Sequence, residues 1–159
     1  MSRHSHENLA GEMPGSHTNQ TILMVVFFIF WIIDSFLLRL TTVWFDWSLV
    51  WINIIFGIAV LATSIYFMQA SHKDLFDRED QGLATGGVFA RVRNPMYLGT
   101  VMFYLGLILF TMSLASLVVW IIICFYYNRL ANYEEGKLQE KFGEEFVEYK
   151  KSVRKWIPI

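Results

Sequence analysis

Three groups of residues in this sequence combine reactive side chains with informative placement. The first is Arg91-Val92-Arg93-Asn94-Pro95-Met96-Tyr97, which runs straight into an apolar stretch. Asn is a favoured helix N-cap and Pro is tolerated in the first turn, so a helix opening at Pro95 is expected. Its leading N–H groups and the positive end of its dipole, with Arg93 beside them, make a place for an anionic group such as a carboxylate. The second group is Glu134-Glu135, close behind an apolar run that ends near Tyr127. Carboxylates there can hold an ammonium or ribose hydroxyls through charge-assisted hydrogen bonds. The third is Asp34, an acid inside the apolar run 21–38. A charge in that setting must face protein, pair or stay protonated. Taken singly, each group also has a plain reading: a capped helix with a snorkelling arginine, a solvated acidic helix, and a hydrogen-bonded Asp.

Other chemistries find little support. Gly82, Gly86 and Gly87 do not form a G-x-G-x-x-G fingerprint. Cys124 is the single cysteine and sits in an apolar run, which excludes an internal disulfide and any Cys-based zinc or redox motif. His4 and His6 lie in a polar tail where solvation is the expected state, so no metal site is expected. A formal net charge of -1 gives no support to nucleic-acid binding.

The elements that position these groups follow from composition. Of 159 residues, 55% are apolar, 17% aromatic and 17% charged, against roughly 25% charged in a soluble domain. One core of this size has no room for so many Phe, Trp, Ile and Leu side chains, and disorder requires the opposite composition. A bilayer is therefore the expected solvent, with roughly 20 apolar residues needed per helical crossing. Segments 21–38 and 47–68 fit two crossings joined by a short connection, with Trp47, Trp51 and Tyr66 suited to the interfaces. The stretch 97–127 holds no charged residue and is longer than one crossing needs. It is expected to fold as a second hairpin, about 95–111 and 115–133, turning near 111–114.

Charge arbitrates the count. Lys73, Arg78, Arg91 and Arg93 precede the stretch, and Arg129, Lys137, Lys141, Lys150, Lys151, Arg154 and Lys155 follow it. Only an even number of crossings puts both groups on the cytoplasmic side, with three crossings as the lesser alternative. The expected fold is an all-α membrane protein with four transmembrane helices as two hairpins plus a C-terminal amphipathic helix. Residues 1–20 read as a polar tail without signal-peptide features. Residues 21–159 read as one domain of the cytoplasmic membrane. Its loop 69–94, its segment 134–159 and both termini are cytoplasmic. Gly143 should end the last long helix. Phe146, Tyr149 and Val153 then form an apolar stripe suited to a helix lying on the bilayer, with Trp156 and Ile157 as further anchors.

The order of these segments carries more than each alone. GGVFARVRNPMYLG, an apolar hairpin, then EEGKLQEKFGEEFVEYKKSVRKWIP resembles the isoprenylcysteine carboxyl methyltransferase and phospholipid methyltransferase family, over roughly residues 81–158. The resemblance implies an integral-membrane enzyme that binds S-adenosylmethionine without a Rossmann fold, between the loop before the hairpin and the helix after it. Carried over by position, Gln81, Gly82, Leu83 and Ala84 touch the cofactor and Phe89 holds the loop's aromatic place. Asn94, Pro95, Met96 and Tyr97 line the pocket, and Glu134 is the cofactor glutamate. Glu135, beside it, and Arg129 are the expected catalytic residues.

Some positions depart from the family's pattern. Asn94 replaces a frequent His and cannot shuttle a proton near neutral pH. Phe89 lacks the hydroxyl of the more usual Tyr. The family's substrate-assisting Arg aligns with Leu130, and Arg129 is rotated from it by about 100°; both weigh against a prenylcysteine carboxylate in particular. The implied acceptor is lipophilic, a prenylcysteine-like carboxylate or a phospholipid amine, reaching the site sideways from the lipid bilayer. An amine acceptor must lose a proton, to Glu134, Glu135 or Tyr97. Two other classes stay open: a small transporter using Asp34 as its coupling acid, and a noncatalytic scaffold docking through the amphipathic tail.

Overall fold

A chain dissolved in hydrocarbon must satisfy its backbone polar groups internally, which favours helices. The structure, a computed structural model, describes residues 13–42, 47–76 and 82–157, and the regular structure among them is helical. His4, His6 and Gln81 lie outside the described residues. Helix α1 (Ser16–Ile32) starts ahead of the expected 21 and runs into a π-helical turn, Ile33–Leu38. Helix α2 (Trp47–Phe76) continues well past 68. Helices α3 (Pro95–Thr111), α4 (Leu114–Phe142) and α5 (Glu144–Ser152) follow, with a 3-10 turn at Gly87–Ala90 before α3. Three described stretches are long and apolar enough to cross a membrane: Ser16–Leu38, Val50–Leu75 and Leu114–Phe142. α3 is a shorter apolar helix. Leu37 and Phe125 are 70% and 72% exposed, an arrangement that suits lipid and not water.

Small residues let α2 and α3 approach closely. A Cβ at Gly99 would fall 3.0 Å from the Ser64 carbonyl oxygen and 3.2 Å from the Met68 nitrogen. Ser64 Oγ donates to the Gly99 carbonyl at 2.7 Å, so backbone contact and an interhelical hydrogen bond coincide. Between lipid-solvated helices, such packing supplies what hydrophobic burial supplies in water.

Asp34 closes the opposite end of the helices. Thr41 donates its N–H and its hydroxyl to the Asp34 carboxylate at 2.9 and 2.6 Å. Ser113 Oγ and Thr42 Oγ1 donate to it at 2.6 and 3.3 Å. Thr41 Oγ1 accepts from Ala115 N–H at 2.9 Å, and Ser113 Oγ accepts from Ser116 N–H at 3.1 Å, capping α4. The connection after α1 is thereby stitched to the turn between α3 and α4. A coupling acid needs exchangeable partners, whereas these donors enclose Asp34, which is 6% exposed.

The C-terminal stripe departs from expectation. Gly143 ends α4 at φ 56°, as its position predicts, and the reversal folds α5 back. Phe146, Tyr149 and Val153 then bury against Leu83, Leu138 and Phe142, so the stripe faces protein where lipid was expected. The physical reason is proximity: Leu83 and the end of α4 offer an apolar surface within reach of the reversed chain. Trp156 packs against the main core, and Ile157 stays exposed.

Candidate functional site

The site is built where the start of α3 meets the middle of α4. Residue 94 takes the N-cap position, as expected, but its side chain makes no capping bond. Asn94 Nδ2 instead donates to Glu135 Oε1 at 2.8 Å. The first turn of α3 consequently keeps N–H groups that Asn94 does not cap. Glu134 and Glu135 point about 100° apart on one helix, so they serve different neighbours. The Tyr97 hydroxyl donates to Glu134 Oε1, and its ring lies 5.4 Å from that of Tyr127. Glu135 takes Arg93 as well as Asn94, with Arg93 Nε at 3.2 Å from Oε1 and Nη2 at 3.4 Å from Oε2.

The sequence puts Arg93 beside the helix start, either as part of a place for an anion or as a snorkelling arginine. The structure places its guanidinium between α4 and the C-terminal segment instead. Nη1 donates to the carbonyls of Lys150 and Val153 at 3.0 and 2.9 Å, and the Arg93 N–H donates to the Arg154 carbonyl at 2.9 Å. Five fixed donors and a planar fork suit arginine to joining several acceptors at once.

The loop before α3 is held from two sides. Asp74, near the end of α2, accepts from Val88 N–H at 2.7 Å. Gly87 sits there at φ 58°, and any Cβ would overlap the Asp74 carboxylate, so this position needs glycine twice over. From the other side, the Tyr149 hydroxyl donates to the Phe89 carbonyl at 2.6 Å. Burial pushes the Tyr149 hydroxyl's pKa up to about 12, with Arg93 opposing and Glu135 adding, so it stays a protonated donor. Lys155 donates to Asn128 Oδ1 and Asn132 Oδ1 at 2.8 and 2.6 Å, on the face of α4 that leads to Glu135. Burial draws its ammonium below the ordinary lysine range, with Glu135 opposing and Arg93 and Lys150 adding.

The structure therefore brings Asn94 to Glu135 and Tyr97 to Glu134. Pro95 is buried at the start of α3, and Met96 beside it is half-buried. Leu83 is buried beneath α5, Ala84 is half-buried and Gly82 is exposed. Phe89 contributes its carbonyl to Tyr149. Arg129 is exposed on α4 and shares none of these bonds, while Leu130 is sealed in the core. Asp74 and the carbonyls at 150, 153 and 154 escaped sequence reasoning. Their partners are backbone groups or distant residues, which leave no mark on composition or spacing. Tyr149 was legible only as part of an apolar stripe.

Comparison with known proteins matches the sequence of this chain to a family. The family model described as phospholipid methyltransferase matches residues 21–145. A protein-S-isoprenylcysteine O-methyltransferase of Dictyostelium discoideum is 29% identical over 144 residues, covering 86% of this chain and 59% of its own. Protein-S-isoprenylcysteine O-methyltransferase A of Arabidopsis thaliana is 29% identical over 82 residues, 51% of this chain and 42% of its own. The protein-S-isoprenylcysteine O-methyltransferase of Schizosaccharomyces pombe is 28% identical over 82 residues, 51% of this chain and 35% of its own. The chain thus spans 35% to 59% of the length of these relatives.

Proposed function

The chain belongs to the phospholipid methyltransferase family, and from that premise we propose an integral-membrane, S-adenosylmethionine-dependent methyltransferase with a lipophilic acceptor. The acceptor is a prenylcysteine-like carboxylate or a phospholipid amine, reaching the site from the bilayer. The chain crosses the membrane four times, with both termini and the loop 69–94 on the cytoplasmic side. The observation that carries the reading is the meeting of Asn94 with Glu135 and of Tyr97 with Glu134 across the two ends of the α3–α4 hairpin.

The donor set fits the cofactor. Such a molecule needs acceptors for an ammonium and ribose hydroxyls, and donors for a carboxylate. Glu134 and the Asn94 Oδ1 supply acceptors, and the Met96 N–H in the first turn of α3, which Asn94 does not cap, supplies a donor. The bound cofactor's sulfonium supplies an already activated methyl group, so the protein's part is alignment and exclusion of water. Tyr97 and Tyr127 wall that side with aromatic surface, and Pro95 and Val92 are buried behind it. A carboxylate acceptor needs no base. For an amine acceptor, the Glu134 carboxylate beside Tyr97 would accept the proton that leaves the nitrogen.

Calorimetry with S-adenosylmethionine in detergent tests the reading, together with methyl transfer to prenylcysteines, phosphatidylethanolamine and small thiols. Cofactor binding and activity on a lipid-tailed acceptor are expected. Asn94→Ala combined with Glu134→Ala should weaken cofactor binding by about 100-fold or more, from the loss of charge-assisted bonds. Binding that survives the double substitution removes these residues from the pocket. Activity confined to water-soluble acceptors removes the bilayer route.

A further inference from the structure

Glu135 stands next to the carboxylate assigned to the cofactor, yet its surroundings are those of an anchor. It is 7% exposed. Arg93 Nε, Arg93 Nη2 and Asn94 Nδ2 fill three of its roughly four acceptor positions. Arg93 is itself held from the far side by the carbonyls of Lys150 and Val153, and its backbone N–H by that of Arg154. Tyr149 ties the same C-terminal segment to Phe89. The carboxylate is therefore fixed by α4 on one side and, through Arg93, by segment 150–154 on the other.

The consequence falls on Asn94. A primary amide has one end that donates and one that accepts, and the two ends have nearly the same shape. A carboxylate accepts only, so Glu135 admits the Nδ2 end and turns the Oδ1 end away. We infer that Glu135, locked by Arg93 and segment 150–154, is a positioning residue: it sets the amide of Asn94 so that its carbonyl oxygen meets the cofactor. Asn94 thereby selects a donor on the ligand, an ammonium or a hydroxyl, over a carboxylate. This rests on the methyltransferase reading. It assigns Glu135 no contact with the reacting atoms, although its neighbour Glu134 touches the ligand.

The test compares S-adenosylmethionine affinity by calorimetry with kcat at saturating cofactor, for the full chain in detergent. Glu135→Gln lets the Asn94 amide turn over. Cofactor affinity should fall about tenfold, while kcat falls less than threefold and the pH profile keeps its shape. In an Asn94→Ala background, the same substitution should cost no further affinity, because its effect passes through that amide. Arg93→Lys keeps the charge but loses the fork, and should weaken affinity in the same direction. It gives the same readout should Glu135→Gln not fold, as a melting curve would reveal. Native affinity in both Glu135→Gln and Arg93→Lys overturns the inference. So does an additive loss in the Asn94→Ala background, or a fall in kcat with a moved pH profile and unchanged affinity, which marks a direct catalytic role. If the native chain itself binds no S-adenosylmethionine, the methyltransferase reading fails and takes this inference with it.

Discussion

The Tyr149 hydroxyl reaches across from α5 to the Phe89 carbonyl at 2.6 Å, in a position from which water is largely excluded. Its pKa rises from 10.0 to about 12, chiefly through burial. Folding favours the neutral phenol, so the stability tied to this group is complete below pH 10 and drains away as pH climbs towards 12. Tyr149→Phe removes the bond and leaves the Phe89 carbonyl without that donor, which should cost about 1–2 kcal/mol at neutral pH. The same variant should lose less stability than the native chain between pH 10 and 12, since it lacks the group that ionises. Thermal unfolding in detergent across that range checks both statements. Identical alkaline curves for the two proteins would show that the hydroxyl does not tie α5 to the loop. The sequence offered Tyr149 as an apolar residue because its spacing with Phe146 and Val153 is visible in one strand of text. Its acceptor is a backbone carbonyl, identical at every position, and no spacing reveals it.

Helices were more legible than their contacts. The Asn94-Pro95 junction fixes the start of α3 through local chemistry, because proline in the first turn needs no partner for its nitrogen. The turn after α3 was harder. Met112 takes φ 49° without being glycine, and the turn is held by Ser113 and Thr41 around Asp34, partners far apart in sequence. α2 runs on through the largely polar segment 69–74 because Ser71 is buried and Asp74 reaches Val88, contacts that hydropathy does not register. Two glycines show how packing reverses the effect of one chemical change. Gly136 lies in α4 with open space around it, so Gly136→Ala should stabilise by about 0.4–1 kcal/mol through the unfolded chain. Gly99 faces the backbone of Ser64 and Met68, so Gly99→Ala should destabilise by about 1–3 kcal/mol as α3 is pushed from α2. Parallel unfolding curves for the two variants decide this. Equal shifts would mean that the helices are not in backbone contact.

At the scale of the whole molecule, two polar assemblies bound the apolar body. Asp34, Thr41 and Ser113 gather at the end of α3, and Arg93, Asn94 and Glu135 gather at its start. α3 has 17 residues, which separates the assemblies by about 25 Å, close to the thickness of a bilayer's hydrocarbon core. Polar residues stitched together at both ends, with apolar surface between, fit a short helix that crosses the membrane. In the topology we propose, the basic residues around α3's start put that end on the cytoplasmic side. Leu40 is 77% exposed beside the Asp34 assembly, and Arg91 is exposed beside the other. With Cys124 replaced by Ser, single cysteines at these two positions should therefore label from opposite faces. In sealed vesicles of known orientation, a membrane-impermeant maleimide should reach Arg91→Cys only from the cytoplasmic side and Leu40→Cys only from the other. Labelling of both from one side would make α3 a re-entrant or interfacial helix. The hairpin would then no longer span, and a lipid-tailed acceptor would need a different approach to Asn94 and Glu134.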